Sequence, residues 1–209
     1  MSQYPAARFL ASAHNPSQFL PDSGREVAFA GRSNAGKSSA INTIVNRRQF
    51  AHTSKTPGRT QLVNFFELWE EARLVDLPGY GFARVSASMQ RHWRGLMSAY
   101  FAGRRSLTGL FLIVDIRRRL TDFDWQMLDL AEGIEVPVHV LLTKADKLKR
   151  GQAASELAKV RKELDGAATA QLFSALKREG VAEARQRLEA MLARSPEAVE
   201  GAQPEPEAP

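Results

Sequence analysis

The sequence predicts an α/β fold of three layers, with helices on both faces of a mostly parallel sheet that carries one antiparallel strand. Three observations lead there. The pattern G-x-x-x-x-G-K-[ST] stands at 31–38, between a short apolar strand at 27–30 and a segment in which Ile41, Ile44 and Val45 recur at helical spacing. Two continuous apolar runs, 110–114 and 138–142, read as strands buried on both faces, as parallel pairing requires. Helical periodicity follows each of them, so strand and helix alternate as in a doubly wound sheet.

Residues 1–24 read as an arm, with Phe9, Leu10, Phe19 and Leu20 as the apolar groups able to dock it, before a turn at 21–24. After the first helix, 47–61 is polar, rich in turn residues and without periodicity, so it is expected to be a loop. The alternation over 62–69, a turn at Glu70-Glu71 and a second apolar segment at 72–76 make a hairpin, which supplies the antiparallel strand. Residues 80–88 form a second glycine-bearing loop. Met89, Trp93, Leu96, Met97 and Tyr100 then share one helical face, which reads as core. Thr121 caps the helix that buries Phe123, Met127, Leu130 and Ala131. A charged helix around 155–164, a short strand near 170–173 and a last helix with Val181, Ala184, Leu188, Met191 and Leu192 inward complete a globular unit over 25–194. The Pro, Glu and Ala composition of 195–209 predicts a disordered acidic tail.

The 31–38 pattern names a ligand by its chemistry. Gly31 and Gly36 let the backbone curl so that N–H groups converge on one anionic point, and the helix that follows adds its positive end. A triphosphate suits Gly31, Arg32, Ser33, Asn34, Ala35 and Gly36. Lys37 bridges the β and γ phosphates, and the Ser38 hydroxyl is placed to coordinate the accompanying Mg²⁺.

Two further motifs follow in order. Asp76-Leu77-Pro78-Gly79 ends a strand, where a carboxylate can hold the Mg²⁺ shell through water and the Gly79 N–H can reach the γ phosphate. Thr143-Lys144-Ala145-Asp146 ends a buried strand. A carboxylate there accepts two hydrogen bonds side by side, and guanine offers them at N1–H and the 2-amino group, whereas adenine offers neither. Lys144 lays its aliphatic stem along the base or ribose. Ser174-Ala175, after the last short strand, can direct a backbone N–H at guanine O6.

Together these pieces resemble the translation-factor class of GTPases with a Ras-like G domain, and their wording resembles the bacterial EngB (YihA/YsxC) family. The matching text is 31–38, 55–61 with Asn64-Phe65-Phe66, 76–83, Thr143-Lys144-Ala145-Asp146 and Phe173-Ser174-Ala175-Leu176-Lys177, within a likeness covering about residues 6–193. The resemblance implies a GTP-binding switch that assists assembly of the large ribosomal subunit and is needed for normal division and septation. It implies nucleotide contacts from Gly58, Arg59, Thr60, Gln61, Leu62 and Phe173, and it assigns Thr60 rather than Thr56 as the second Mg²⁺ ligand, a choice that the residues alone leave open. Arg117-Arg118-Arg119 depart from the histidine and proline expected after Asp115, and read either as a basic RNA-facing edge or as a solvated start to the next helix.

Composition bounds the partners. The 209 residues carry a net charge of +6 with a sequence pI near 9.9, and the last fifteen hold four glutamates and no Lys or Arg, so residues 1–194 carry +10. Such a body suits a polyanion, RNA before membrane. No cysteine is present, which excludes a disulfide framework, a thiol nucleophile and a Cys-ligated metal. No apolar stretch approaches the length of about 18 residues that a membrane helix needs. A cytoplasmic monomer is expected.

The residue after D-x-x-G is Tyr80, where Ras-like enzymes place a glutamine that orients water, so intrinsic hydrolysis is expected to be slow. Asn34 stands where related GTPases help to hold K⁺, against the plainer reading of a side chain that caps the loop. Ordering of 47–61 and 79–88 by the γ phosphate would make the switch. The rival reading is a GTP-gated module of the division machinery with no RNA role. Asp146 and the lack of an acceptor-site signature argue against a small-molecule kinase.

Overall fold

The computed structural model describes residues 4–51, 62–81 and 86–194. Thr56, Gly58, Arg59, Thr60, Gln61, residues 82–85 and residues 195–209 lie outside the described residues.

In chain order the elements are β1 (Arg8–Ala13), β2 (Arg25–Gly31), α1 (Lys37–Val45), β3 (Val63–Trp69), β4 (Ala72–Asp76), α2 (Ala87–Gly103), β5 (Leu107–Asp115), α3 (Asp122–Glu132), β6 (Val138–Thr143), α4 (Arg150–Leu164), β7 (Thr169–Leu172) and α5 (Val181–Leu192). The seven strands form one sheet in the order β1-β3-β4-β2-β5-β6-β7. β3 is antiparallel to both of its neighbours and every other pairing is parallel, so β3 alone runs against the rest, as expected. The hairpin that reverses it turns at Glu71, in the left-handed region at φ 61°.

Alternation along the central strands sends side chains to two cores. Val27 and Phe29 of β2, with Phe111 and Ile113 of β5, meet Ile41 and Ile44 of α1 and Ala184 and Leu188 of α5. Ala28, Ala30, Leu110 and Leu112 face the other way, onto α2, α3 and α4 through Trp93, Leu96, Tyr100, Met127, Ala131 and Val160. Both β2 and β5 are thus covered on both faces, which is why their middle stretches, 27–30 and 110–114, are wholly apolar and their charged residues stand at the strand ends.

The region read as an arm is built into the sheet. Arg8–Ala13 pairs with β3 as an edge strand, Leu10, Phe19 and Leu20 pack against the core, and Tyr4 stacks on Trp69 at 5.8 Å. Phe9, expected to dock, remains 54 % exposed and meets Phe66 edge-on. An edge strand buries little on either face, so its sequence shows no clean alternation. At the rim away from the predicted site, Glu26 is fully buried and accepts from the Arg104 guanidinium at 2.6 and 2.8 Å, Arg73 at 3.0 Å and the Tyr100 hydroxyl at 3.0 Å.

Candidate functional site

The carboxyl ends of β2, β4, β5 and β6 meet at one rim. β2 brings Gly31 so close to β5 that a Cβ would sit 2.6 Å from the Ile113 carbonyl oxygen, so the loop begins on glycine. The chain turns through Asn34 at φ 64° and Gly36 at φ 101°, and Gly36 is the N-cap of α1. Lys37 and Ser38 open that helix, at the end where backbone N–H groups have no partner within the helix.

The loop is braced on both sides. The Ser33 N–H donates to the Tyr80 carbonyl at 2.9 Å. On the β6 side, the Thr143 hydroxyl lies 2.5 Å from the Ala35 carbonyl and 3.1 Å from that of Val114, while Lys144 Nζ donates to the Asn34 carbonyl at 2.6 Å and to Asp115 Oδ2 at 2.9 Å. Thr143 and Lys144 therefore grip the loop by its carbonyls, while two of its N–H groups, those of Ser33 and Ala35, are bonded to the Tyr80 and Arg32 carbonyls. Arg117 binds the same Asp115 carboxylate at 2.7 and 2.9 Å. Although burial alone would raise that carboxyl, the Arg117 and Lys144 hydrogen bonds hold it well below the usual carboxylate range.

At the end of β4 the Asp76 carboxylate is buried and forms an ion pair with Lys37. The Leu77 side chain enters the core, so this residue can serve the site only through its backbone, and the Pro78 carbonyl accepts from Trp93 Nε1 at 3.2 Å. Gly79 lies against the loop, where a Cβ would fall 2.9 Å from Ser33 Oγ. That Ser33 oxygen is buried and has no hydrogen-bond partner among the described residues. Tyr80 turns into the core: its ring packs against Trp93 and Phe123, and its hydroxyl donates to Asp124 Oδ1 at 2.5 Å.

The remaining motif lies beyond β6. Asp146 sits in a single 3-10 turn, and its Oδ1 accepts from the Ser174 hydroxyl at 2.5 Å, which lowers the carboxyl below its ordinary value. Phe173 is fully buried and joins the two segments, donating to the Leu142 carbonyl at 2.9 Å and accepting from the Ala145 N–H at 3.1 Å. The Ser174 N–H is taken by the Glu179 carbonyl at 3.1 Å, so of Ser174 and Ala175 it is Ala175 that keeps its N–H for a base. The structure thus brings together residues 31–38, 76–79, 143–146 and 173–175 at one rim. Leu62 lies partly exposed just before β3, and Gly58, Arg59, Thr60 and Gln61 fall outside the described residues.

Two participants escaped the sequence reading. Asp115 could have been flagged as a carboxylate closing a long apolar run. Asp124, three residues after Thr121, is the acidic half of a capping box, accepting from the Thr121 N–H at 2.8 Å and hydroxyl at 2.7 Å. No spacing rule would have revealed its bond to Tyr80.

Residues 26–144 match the family model described as 50S ribosome-binding GTPase. The chain is 53 % identical over 183 residues to the probable GTP-binding protein EngB of Stenotrophomonas maltophilia, across 86 % of this chain and 92 % of that one. It is equally identical over 183 residues to the protein of the same description from Hydrogenovibrio crunogenus, across 86 % of each. The chain belongs to the EngB family of P-loop GTPases. A crystal structure described as a probable GTP-binding protein EngB shares its fold with a TM-score of 0.65 at 19 % identity, covering 80 % of this chain and 98 % of that one.

Mg²⁺ fits the donors that this EngB-family rim presents. Among the described residues no three His, Cys, Asp or Glu side chains cluster to hold a metal. Mg²⁺ prefers oxygen and commonly takes one or two protein ligands beside water and phosphate, so the Ser38 hydroxyl with the nearby Asp76 carboxylate is a donor set of the right kind. Among the described residues no helix is long and apolar enough to cross a membrane.

Proposed function

We propose that the protein binds GTP and GDP between the phosphate loop and Asp146, hydrolyses GTP slowly, and acts as a switch in assembly of the large ribosomal subunit, through which normal cell division and septation depend on it. The Asp146 carboxylate carries the reading. Ser174 keeps it ionised, and of the two purines only guanine supplies paired donors to such an acceptor. Ala175 offers its N–H to O6, Lys144 covers the base with its stem, and Thr143, Ala145 and Phe173 hold the turn in place.

The 31–38 loop wraps the phosphates with its amides. Lys37 exchanges Asp76 for the β and γ phosphates and so stabilises charge that develops on them. Gly79 directs its N–H at the γ phosphate beside Asp76, Leu77 and Pro78, and Gly58, Arg59, Thr60, Gln61 and Leu62 contribute the further nucleotide contacts that the family resemblance implies. Ser38 and Thr60, with the Asp76 carboxylate assisting, would hold Mg²⁺, which would supply further neutralisation of phosphate charge. Tyr80 is committed to Asp124, so this side chain does not orient water, in keeping with slow turnover. The Asn34 carbonyl is used by Lys144, but its exposed side-chain amide is available to a K⁺ ion that would supply positive charge.

The ribosomal part rests on the family description and on the basic body, and a monomer in the cytoplasm is the setting. The test begins with GTP, GDP and ATP binding in Mg²⁺, repeated with Asp146→Asn and xanthine nucleotides. Guanine preference that moves to xanthine in the variant supports the base reader, and absence of any preference removes it. Co-sedimentation with large-subunit precursors in GTP and in GDP then tests the switch, which fails if binding ignores the nucleotide.

A further inference from the structure

A cavity of about 580 Å³ opens on the outer flank of the phosphate loop, bounded by residues 32–35, Gly81, the end of β5, the turn that follows it and the start of α3. It shares Arg32, Ser33, Asn34, Ala35 and Lys144 with the nucleotide reading, but Gly36, Lys37, Ser38, Asp76, Asp146 and Ser174 do not line it, so it adjoins the nucleotide cleft along the loop and extends from it toward α3. Its size suits a unit as large as one nucleotide.

The wall is strongly cationic. Arg32, Arg117, Arg118, Arg119 and Lys144 face two carboxylates, Asp115 and Asp124. Asp115 is already bound by Arg117 and Lys144. Asp124 is spent on Tyr80 and Thr121. Arg32 uses Nε on the Gly81 carbonyl at 3.3 Å, which leaves its terminal nitrogens. Arg118 and Arg119 are exposed and form no ion pair among the described residues. Guanidiniums suit phosphate because their planar forks donate in pairs.

We propose that this cavity is a second anion site, which holds a phosphodiester unit of an RNA strand through Arg118, Arg119 and Arg32. The proposal rests on the ribosomal reading above and says where the RNA meets the protein. RNA is favoured over an acidic protein segment because residues 1–194 carry +10, a field that attracts a long polyanion whichever face it approaches, while the recess accepts one phosphate-bearing unit of it. The arginine run that departs from the family's expected wording thereby gains a role.

The experiment uses the full chain, a fluorescein-labelled single-stranded RNA, a polyglutamate peptide and large-subunit precursors. R118E/R119E is compared with K159E/K162E, which makes the same charge change on exposed positions of α4. The expected result is a loss of RNA affinity of at least about tenfold in R118E/R119E, with a salt slope lower by about two, and a loss under about threefold in K159E/K162E. GTP affinity stays within about twofold in both variants, which shows that each is folded. Equal losses in the two variants overturn the cavity site, because the RNA then senses only net charge. Tighter binding of polyglutamate than of RNA overturns it in favour of an acidic protein partner. Wild-type protein that co-sediments with precursors while R118E/R119E does so equally well removes the site and leaves the ribosomal reading standing. Wild-type protein that binds neither RNA nor precursors removes both.

Discussion

The Tyr80 hydroxyl donates to Asp124 Oδ1 at 2.5 Å, tying the residue that follows Gly79 to the first turn of α3. The phenol is 3 % exposed, and burial, with the Asp124 charge next, raises its pKa well above the ordinary value, so it stays a donor at any working pH. Tyr80→Phe removes that donor and leaves Asp124 with its Thr121 partners. The expected cost is about 1–3 kcal/mol of unfolding free energy, read by urea titration. Because the hydroxyl is spent on Asp124, GTP turnover should change by less than about threefold. A tenfold loss of turnover in protein that remains folded would assign the phenol a part in hydrolysis.

Ser33 gives a sharper test of how the γ phosphate is sensed. Its hydroxyl oxygen is buried beside Gly79 with no partner among the described residues. Ser33→Ala deletes an unsatisfied polar group, so the nucleotide-free protein should lose no stability and can gain up to about 1 kcal/mol. If the hydroxyl finds its partner on the γ phosphate, GTP affinity falls roughly five- to tenfold while GDP affinity holds, as expected for one charge-assisted hydrogen bond. Parallel titrations of both nucleotides decide this, and equal effects on the two would rule out a γ-phosphate contact.

The Glu26 cluster predicts a defect of stability with no defect of binding. Arg104→Ala leaves Glu26 fully buried with Arg73 and Tyr100 as its remaining partners, at the rim away from the nucleotide residues. Breaking such a pair on one side costs about 3–5 kcal/mol, or roughly 10 °C in Tm for a chain of this size. Thermal unfolding measures the loss. GTP affinity at 20 °C, measured on the folded variant, should match wild type.

The sequence was most legible where one chemistry dictates several residues at once. Gly31, Gly36, Lys37 and Ser38 are forced by a backbone that must curl around an anion, and the inward residues of α5 follow from helical spacing alone. It was least legible where a bond joins distant segments. Asp115, Arg117 and Lys144 form one ionic group across two loops, and Tyr80 reaches Asp124 over 44 positions. No local pattern encodes either. β1 was missed for a different reason: an edge strand facing solvent on much of its length needs no alternation, so six residues of it look like a linker. Which N–H of Ser174-Ala175 serves the base stays open in the sequence, because a single sequence cannot show that Glu179 returns to claim that of Ser174.

His139 sets the acid limit of the fold. It lies in β6, 1 % exposed, with its ring nitrogens bonded to the Thr169 hydroxyl at 2.6 Å and to Gln171 Oε1 at 2.9 Å. Burial pushes its pKa down from 6.5 to about 4; the Gln171 bond opposes this, and the Arg187 and Arg161 charges add to it. The unfolded chain therefore binds a proton between pH 6.5 and 4 that the folded chain refuses. Stability is full above pH 6.5 and falls as the pH drops through that window, by up to about 3 kcal/mol. Asp115, whose carboxyl is also lowered, contributes in the same direction but only below the usual carboxylate range. Urea unfolding at half-unit steps from pH 7.5 to 4 should show the slope in wild type and a flatter curve in His139→Gln, whose amide carries no titrating proton. A wild-type curve already flat between pH 6.5 and 4.5 would mean that His139 accepts its proton in the folded state, with β6 and β7 parting enough to admit water.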